Sequence, residues 1–325
     1  MVVGLTGCTA DPPREEGASA EAQTPVVTWE TKTLAWGAGP EEVGLRAGAM
    51  ELPADGPTSI AVGPSGDVLV LDRLNERLLA IGADGAVRVR ASVARDAEHL
   101  AAGPDGATAA WSPLRAAVWI HGRDGTALGE LSIPRVMRDV QRIELGASHV
   151  LHVVTAMQET WTLGSPGAPL DLAATLRTKR EGAAFLPGGR GVAARRTASG
   201  DGEILVYRAP VPGSDEQPPV AWTHTVPGPL AAMRVIGTQE NAICVRIERV
   251  TQQQAIAVER EALCVEAGTG EVLASRALGR PGLYTMHEDL AVGGNPPVLA
   301  FARPEAEGLA ITRIALAARK AEVAR

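Results

Sequence analysis

The chain has 325 residues, of which 45% are hydrophobic, and it carries a formal net charge of −7 at pH 7. This acidic balance excludes a general nucleic-acid binder, because such proteins need a basic surface that displaces counterions from the phosphate backbone. No apolar run approaches the roughly 18 residues that cross a bilayer as a helix, so the sequence predicts no membrane-spanning helix. The hydrophobic content is sufficient for one large domain or two.

The N-terminal segment contains Leu5-Thr-Gly-Cys8, which resembles the lipobox of bacterial lipoproteins. The resemblance implies that Cys8 becomes the lipidated first residue of the mature protein, anchored in a membrane. Residues 1–8 are then a truncated signal, because only Met1-Val-Val-Gly4 precedes the box. Thr9 stands where an aspartate would indicate inner-membrane retention, so the resemblance implies an outer-membrane lipoprotein in the periplasm or at the cell surface. The alternative is a chance match at a disordered terminus.

Residues 9–25 are rich in proline, alanine and glutamate and contain no large apolar side chain. A segment of this composition cannot bury enough surface to fold, so the sequence predicts a disordered linker. A flexible tether between a lipid anchor and a folded domain agrees with the lipoprotein interpretation.

A repeat follows the linker. The turn Gly63-Pro-Ser-Gly66 recurs forty residues later as Gly103-Pro-Asp-Gly106, and Gly82-Ala-Asp-Gly85 recurs at the same interval as Gly122-Arg-Asp-Gly125. Short apolar runs flank these turns, and such runs bounded by turn residues indicate buried strands. Four strands in forty residues are the content and period of a propeller blade.

The remaining sequence continues this pattern less regularly. Paired strand-like runs define four more blades, at 150–154 with 159–163, 191–194 with 204–207, 243–250 with 258–265, and 298–301 with 309–316. The last blade lacks a fourth strand, and an unpaired run at 28–36 is available to supply it and close the ring without an open sheet edge. We therefore predict an all-β fold: a monomeric six-bladed β-propeller over residues 26–318, closed by an N-terminal strand, with a frayed tail at 319–325.

The first blade carries Asp72, Asn75 and Arg77 between two apolar runs. This Asp-x-x-Asn-x-Arg pattern resembles the NHL repeat family over residues 57–85. The resemblance implies that the three side chains brace the turn between strands, a role that suits Asp and Asn because they hydrogen-bond nearby backbone. The second blade has Ser112-Pro-Leu-Arg-Ala-Ala117 at this place and lacks the pattern.

Two cysteines remain besides Cys8, and a hairpin places Cys244 opposite Cys264. The same register opposes two pairs of opposite charge and two apolar pairs: Arg249–Glu259, Glu248–Arg260, Val245–Leu263 and Ile243–Val265. Directly opposed residues lie within disulfide reach. The sequence therefore favours a disulfide and an oxidising compartment, and the alternative is two reduced, buried thiols.

The sequence lacks the motifs of zinc proteases, P-loops, serine hydrolases and paired-cysteine metal sites, so we predict no cofactor. His149 and His152 stand three apart in a predicted strand, where they face opposite sides and cannot share a metal. We interpret the other, scattered histidines as packing or surface residues: His99, His121, His224 and His287.

Six-bladed propellers include lactonases, which resemble one another in an axial metal held by Glu, Asn and Asp from the inner ends of several blades. Glu288, Asp289 and Asn295, near the start of the last blade, form a weak match to such a ligand set. The alternative is ordinary loop polarity. Three or more carboxylates or histidines converging on the central channel would favour an enzyme.

The charge balance becomes locally positive before the fourth blade. Only Glu181 opposes six basic residues: Arg177, Lys179, Arg180, Arg190, Arg195 and Arg196. Such a patch on an acidic protein is able to meet an acidic partner, a lipid headgroup or a polysaccharide. The alternative is a solvated loop face.

The lipobox, the linker, the repeat and the missing catalytic motifs together favour a non-catalytic, surface-tethered lipoprotein. Its propeller would bind a protein or glycan partner and no nucleic acid. The alternative is a degenerate metal-dependent hydrolase of the lactonase type. A third interpretation, a cytosolic NHL-like scaffold, requires the Cys8 motif to be accidental.

Overall fold

The computed structural model describes residues 30–49, 52–137, 139–209, 218–252, 256–280 and 282–316, which form an all-β fold of six antiparallel sheets. The predicted signal with Cys8, the linker at 9–25 and the tail at 319–325 lie outside the described residues. Across the described ranges, no helix combines the length and the apolar character needed to cross a membrane.

The chain begins with β1 (Thr31–Ala35), which belongs to the last sheet, and then builds the blades in order. Blade one contains β2 (Ile60–Val62), β3 (Val68–Asp72), β4 (Arg77–Ile81) and β5 (Val87–Ser92). Blade two contains β6 (His99–Ala102), β7 (Thr108–Ser112), β8 (Ala117–His121) and β9 (Ala127–Ser132). Blade three contains β10 (Val140–Leu145), β11 (Leu151–Thr155), β12 (Glu159–Ser165), β13 (Ala168–Pro169) and β14 (Arg180–Glu181).

The other three blades complete the ring. Blade four contains β15 (Ala184–Leu186), β16 (Arg190–Arg196), β17 (Gly202–Tyr207) and β18 (Val220–Val226). Blade five contains β19 (Ala232–Gln239), β20 (Ala242–Gln252), β21 (Ile256–Glu266) and β22 (Val272–Ala277). Blade six contains β23 (Leu290–Gly293), β24 (Val298–Pro304) and β25 (Gly308–Ala315), together with β1.

The first strand of each blade lies nearest the central axis. First strands of neighbouring blades contact one another, as β2 does with β6 and with β23, β6 with β10, and β19 with β15 and with β23. Both faces of a blade therefore pack against adjacent blades. This explains why β3 is buried along its whole length and why its sequence is a continuous apolar run, unlike a strand with one solvent face.

The N-terminal strand closes the ring, as predicted. β1 pairs antiparallel with β25, with Thr31 opposite Thr312 and Leu34 opposite Leu309, and supplies the fourth strand of blade six. Leu34 is buried in the core cluster that joins blades six and one. A strand from each end of the domain thus completes one sheet, which removes an open edge.

Blade three departs from the regular pattern. Its outer strand is split into β13 and β14, which both pair with β12. The short helix α1 (Leu172–Leu176) lies between them, and its N-cap Asp171 accepts a hydrogen bond from the Ala174 N–H. This insertion could not be predicted from the sequence, because a five-residue helix leaves no measurable periodicity.

The cysteine hairpin has the predicted register. Cys244 lies opposite Cys264 and the two form a disulfide. The charged side chains form other ion pairs, however: Arg249 pairs with Glu261 at 2.6 Å instead of the directly opposed Glu259. Residues two apart share a strand face, so a long arginine reaches the diagonal neighbour.

The NHL-like residues of blade one fix more than their own turn. The buried carboxylate of Asp72 accepts hydrogen bonds from three donors: the Gly44 N–H, Asn75 Nδ2 and Arg77 Nε. Asn75 and Arg77 also donate to backbone carbonyls of residues 37–42. Asp72, Asn75 and Arg77 therefore anchor the segment that follows the closing strand β1.

Candidate functional site

One end of the central channel collects polar side chains from the beginnings of first strands. A parallel bridge between Ser59 and Glu288 joins blades one and six there. A cavity of about 450 Å³ runs along the axis between the first strands of five blades. We call this end the channel mouth and define it by six residues: Glu98, His99, Arg142, Arg234, His287 and Glu288.

Glu288 is the most buried acid of the channel mouth, with only 5% of its surface exposed. Its Oε2 accepts hydrogen bonds from the Ser59 hydroxyl and, at 3.3 Å, from the Leu100 N–H. Its Oε1 is buried and has no hydrogen-bond partner among the described residues. Burial raises the pKa of this carboxyl, but nearby His99, Ser59 and Arg142 outweigh burial and hold the pKa below its ordinary value. Glu288 is therefore ionised at neutral pH.

His99 lies beside this carboxylate. Its Nδ1 is 3.7 Å from Glu288 Oε2, which is beyond hydrogen-bond distance. This nitrogen is buried, and no described residue forms a hydrogen bond with it. A buried polar atom without a partner lowers the stability of the fold by about 1–3 kcal/mol. A bound ligand that interacts with this imidazole would offset part of that loss.

Glu98, His99 and His287 form a three-residue cluster at the channel mouth. One ligand atom of each lies within 4.8 Å of those of the other two. The His99 and His287 rings meet edge to face, with centroids 5.6 Å apart. Partial burial lowers the pKa of His287 from its ordinary value, although the charge of Glu98 opposes this effect.

The donor set of this cluster suits a divalent transition metal or zinc. Imidazole nitrogens favour zinc, iron, nickel or copper, whereas calcium and magnesium prefer oxygen donors alone. Three protein ligands with a further position open are typical of catalytic zinc sites. The position of the cluster also suits a catalytic metal. His99 is buried while His287 is exposed, so the cluster lies between the core and solvent.

Two arginines, one from blade three and one from blade five, also lie at the channel mouth. Arg142, on β10, donates to Glu144 at 2.6 Å and to three backbone carbonyls, those of Ala183, Val235 and Ile236. Arg234, on β19, donates to the backbone oxygen of His287 at 2.9 Å. Arg142 thus ties blade three to blades four and five, and Arg234 ties blade five to the cluster.

The structure does not bring the predicted set Glu288, Asp289 and Asn295 together. Only Glu288 faces the channel mouth. Asp289 points away, since its carboxylate pairs with Arg260 at 2.5 Å and with Arg246 at 3.2 Å. Asn295 follows β23, whereas Glu288 precedes it, and its N–H bonds to the Pro64 oxygen at the far end of the strand. Successive strand residues face opposite sides, which separates Glu288 from its neighbour.

The predicted basic patch is partly neutralised by acids from adjacent strands. Lys179 pairs with Glu159 at 2.5 Å, and Arg195 pairs with Glu203 at 2.7 Å. Arg196 donates to the Leu230 oxygen, while Arg180 lies over the Phe185 ring. Arg177 and Arg190 show no ion pair within the described ranges. The six residues do not act as one uncompensated surface.

The structure adds detail to the histidine interpretation at two positions and corrects it at a third. His99 and His287, interpreted as separate packing or surface residues, meet at the channel mouth. His149 lies outside the predicted strand, in a 3-10 turn (Ala147–His149), and its Nε2 contacts Asp105 at 2.7 Å. His152 is in β11 and contacts the Thr162 hydroxyl at 3.0 Å.

A signal for the cluster is present in the sequence. The dipeptide Glu98-His99 stands at the start of the first strand β6, and His287-Glu288 is separated from the first strand β23 by Asp289 alone. Aligning the blades by their first strands would have placed both at the same end of the axis. The glycine turns that reveal the forty-residue period do not include these positions.

No family model matches the sequence, and no curated protein matches it. Among solved structures, the fold is similar to virginiamycin B lyase from Staphylococcus aureus, with 12% identity, 80% of this chain and 95% of that chain covered, and a TM-score of 0.42. It is also similar to the PQQ-bound aldose sugar dehydrogenase from Streptomyces coelicolor, with 14% identity, 89% and 99% coverage, and a TM-score of 0.43.

A protein described as a putative gluconolactonase is similar at 13% identity, with 88% and 92% coverage and a TM-score of 0.40. At these identities and TM-scores the likenesses carry no argument about activity. The class of the protein rests on its own strand pairing: an all-β, six-bladed propeller closed by its N-terminal strand.

Proposed function

We propose that the protein is a metal-dependent enzyme that acts on a small molecule at the channel mouth, with lactone or ester hydrolysis as the reaction class. The observation that carries this proposal is the convergence of Glu98, His99 and His287, with ligand atoms within 4.8 Å of one another. Convergence of several acids and imidazoles on the channel is the feature that separates an enzyme from a purely partner-binding propeller.

Each residue has a role in this proposal. Glu98, His99 and His287 hold a divalent cation, which when bound polarises a carbonyl or lowers the pKa of a coordinated water. Glu288, whose Oε2 lies 3.7 Å from His99 Nδ1, contributes negative charge beside the cation. The Ser59 hydroxyl and the Leu100 N–H hold Glu288 in place through its Oε2.

The energetics favour this function over a non-catalytic binding surface. The buried Nδ1 of His99 and Oε1 of Glu288 have no hydrogen-bond partner in the part of the chain that the structure describes. Each such atom costs about 1–3 kcal/mol, and surface recognition of a protein or glycan offers no return for that cost. A cation at the cluster would offset part of that cost through its attraction to the charge of Glu288.

The test is metal loading followed by an activity screen. Full-length protein is stripped with a chelator, desalted and titrated with Zn²⁺ or Mn²⁺, and bound metal is measured by mass spectrometry. We expect one tightly bound ion per chain. We also expect metal-dependent hydrolysis of at least one member of a panel of lactones and esters, measured by the release of protons. Absence of stoichiometric binding would return the protein to the partner-binding interpretation, with a protein or glycan ligand.

We further propose that the propeller is extracytoplasmic and tethered through a lipid on Cys8. The disulfide between Cys244 and Cys264 supports an oxidising compartment. The test is metabolic labelling of the full-length gene product with a fatty-acid probe. We expect label on the wild-type protein and none on Cys8→Ser, and an unlabelled wild type would contradict the anchor.

A further inference from the structure

A second cavity lies at the channel mouth, beside Arg234 and Glu288. It has a volume of about 180 Å³ and lies between blades three, four, five and six, with Arg142, Arg234 and Glu288 in its lining. Gln158 and Thr155 add polar groups from blade three. The cavity shares Arg142 and Glu288 with the axial channel, and Glu288 lies 3.7 Å from His99 of the cluster.

Arg234 has no acidic partner in this cavity. Its one described hydrogen bond goes to the backbone oxygen of His287, and no carboxylate among the described residues lies within ion-pair distance of it. Burial and the neighbouring Arg246 lower the pKa of Arg234, whereas Glu288 and Asp289 oppose that effect. The guanidinium is thus a partly buried cation without an ion-pair partner among the described residues.

The neighbouring arginines differ in this respect. Arg142 is neutralised by Glu144 at 2.6 Å. Arg246 contacts both Glu248 at 3.1 Å and Asp289 at 3.2 Å. Glu288 and Asp289 act on Arg234 only through longer-range attraction. The unpaired guanidinium therefore belongs to the cavity, where an arginine offers a planar fork of donors to an oxyanion.

We propose that Arg234 binds a small oxyanion group, a carboxylate or a phosphate, carried by the substrate that reacts at the cluster. This proposal rests on the proposed function for the reacting group but not for the anion itself. The hydrogen bond from Arg234 to the His287 oxygen sets the anion beside the metal-binding residues. The substrate is therefore an acidic small molecule whose charged group and reacting group are close together.

The test measures anion binding by calorimetry, using inorganic phosphate and succinate as separate probes on full-length, metal-free protein. We expect saturable binding of at least one probe, weakened at least tenfold in Arg234→Gln and partly retained in Arg234→Lys. The matched control is Arg276→Gln on β22 of the same blade, an exposed arginine with only a 3.9 Å contact to Glu30. It should bind both anions as wild type does.

A preference for phosphate or for succinate assigns the source of the oxyanion. Mn²⁺ binding, followed by electron paramagnetic resonance, checks that the cluster remains intact in Arg234→Gln, and we expect an affinity within about threefold of wild type. Anion binding that Arg234→Gln leaves unchanged would overturn this inference. Metal binding without anion binding would contradict the anion site alone. Anion binding without metal binding would contradict only the proposed metal-dependent activity.

Discussion

Replacing His99 with alanine is expected to weaken Zn²⁺ or Mn²⁺ binding by more than about a hundredfold, since loss of even a supporting group near a metal costs roughly 10–100-fold. His99 is the buried member of the cluster, and its ring contacts both Glu288 and His287. Without it, two ligands from different blades remain, and neither is fixed by the core. Competition against a chromophoric chelator measures the affinity.

Two further variants separate ligand loss from loss of structure. Glu98→Gln keeps the shape of a partly exposed side chain and removes one anionic ligand, so it should lower affinity without opening a cavity. His152→Ala removes a histidine on β11 that contacts Thr162 and lies outside the cluster, so its affinity should equal that of wild type. Unchanged metal affinity in both His99→Ala and Glu98→Gln would show that the cluster holds no cation.

Much of the fold could be predicted because its determinants are local. The forty-residue period follows from glycine turns, and Gly66, Gly85, Gly106 and Gly125 all adopt the positive φ that such turns require. The register of the cysteine hairpin followed from pairs that are opposed across a single turn. Ring closure by β1 could be predicted because the last blade lacked a fourth strand and the strand-like run at 28–36 had no partner in the sequence around it.

The candidate site could not be predicted in the same way, because its members are distant in sequence. The contact between the Leu100 N–H and Glu288 joins positions 188 residues apart, and it exists only because the ring closes. Neighbours in sequence were misleading in turn. Glu288 faces the channel mouth, whereas Asp289 faces the arginines of blade five. Local charge counting likewise overlooked the acids on adjacent strands that neutralise Lys179 and Arg195.

Asp289→Ala is expected to destabilise the protein by about 3–5 kcal/mol, the usual cost of removing one partner from a buried ion pair. Asp289 and Arg260 are 5% and 8% exposed, and their side chains meet at 2.5 Å across the boundary between blades six and five. Arg246 adds a second contact at 3.2 Å. Without the carboxylate, Arg260 loses its ion-pair partner in a site largely closed to water, while Arg246 keeps Glu248 at 3.1 Å. Urea unfolding followed by tryptophan fluorescence measures the free energy.

The control is Glu203→Ala on blade four, which breaks the pair with Arg195, whose side chain is 62% exposed. Exposed pairs contribute about 0–1 kcal/mol, so this variant should unfold almost as wild type does. The double variant Asp289→Ala/Arg260→Met should recover part of the loss, because it removes the strongest unpaired charge. A loss below about 1 kcal/mol for Asp289→Ala would mean that this pair does not brace the two blades. A loss of the expected size would show that the Asp289–Arg260 pair secures the segment that carries His287 and Glu288. Successive side chains then point in opposite directions, with Glu288 toward the channel mouth and Asp289 toward blade five.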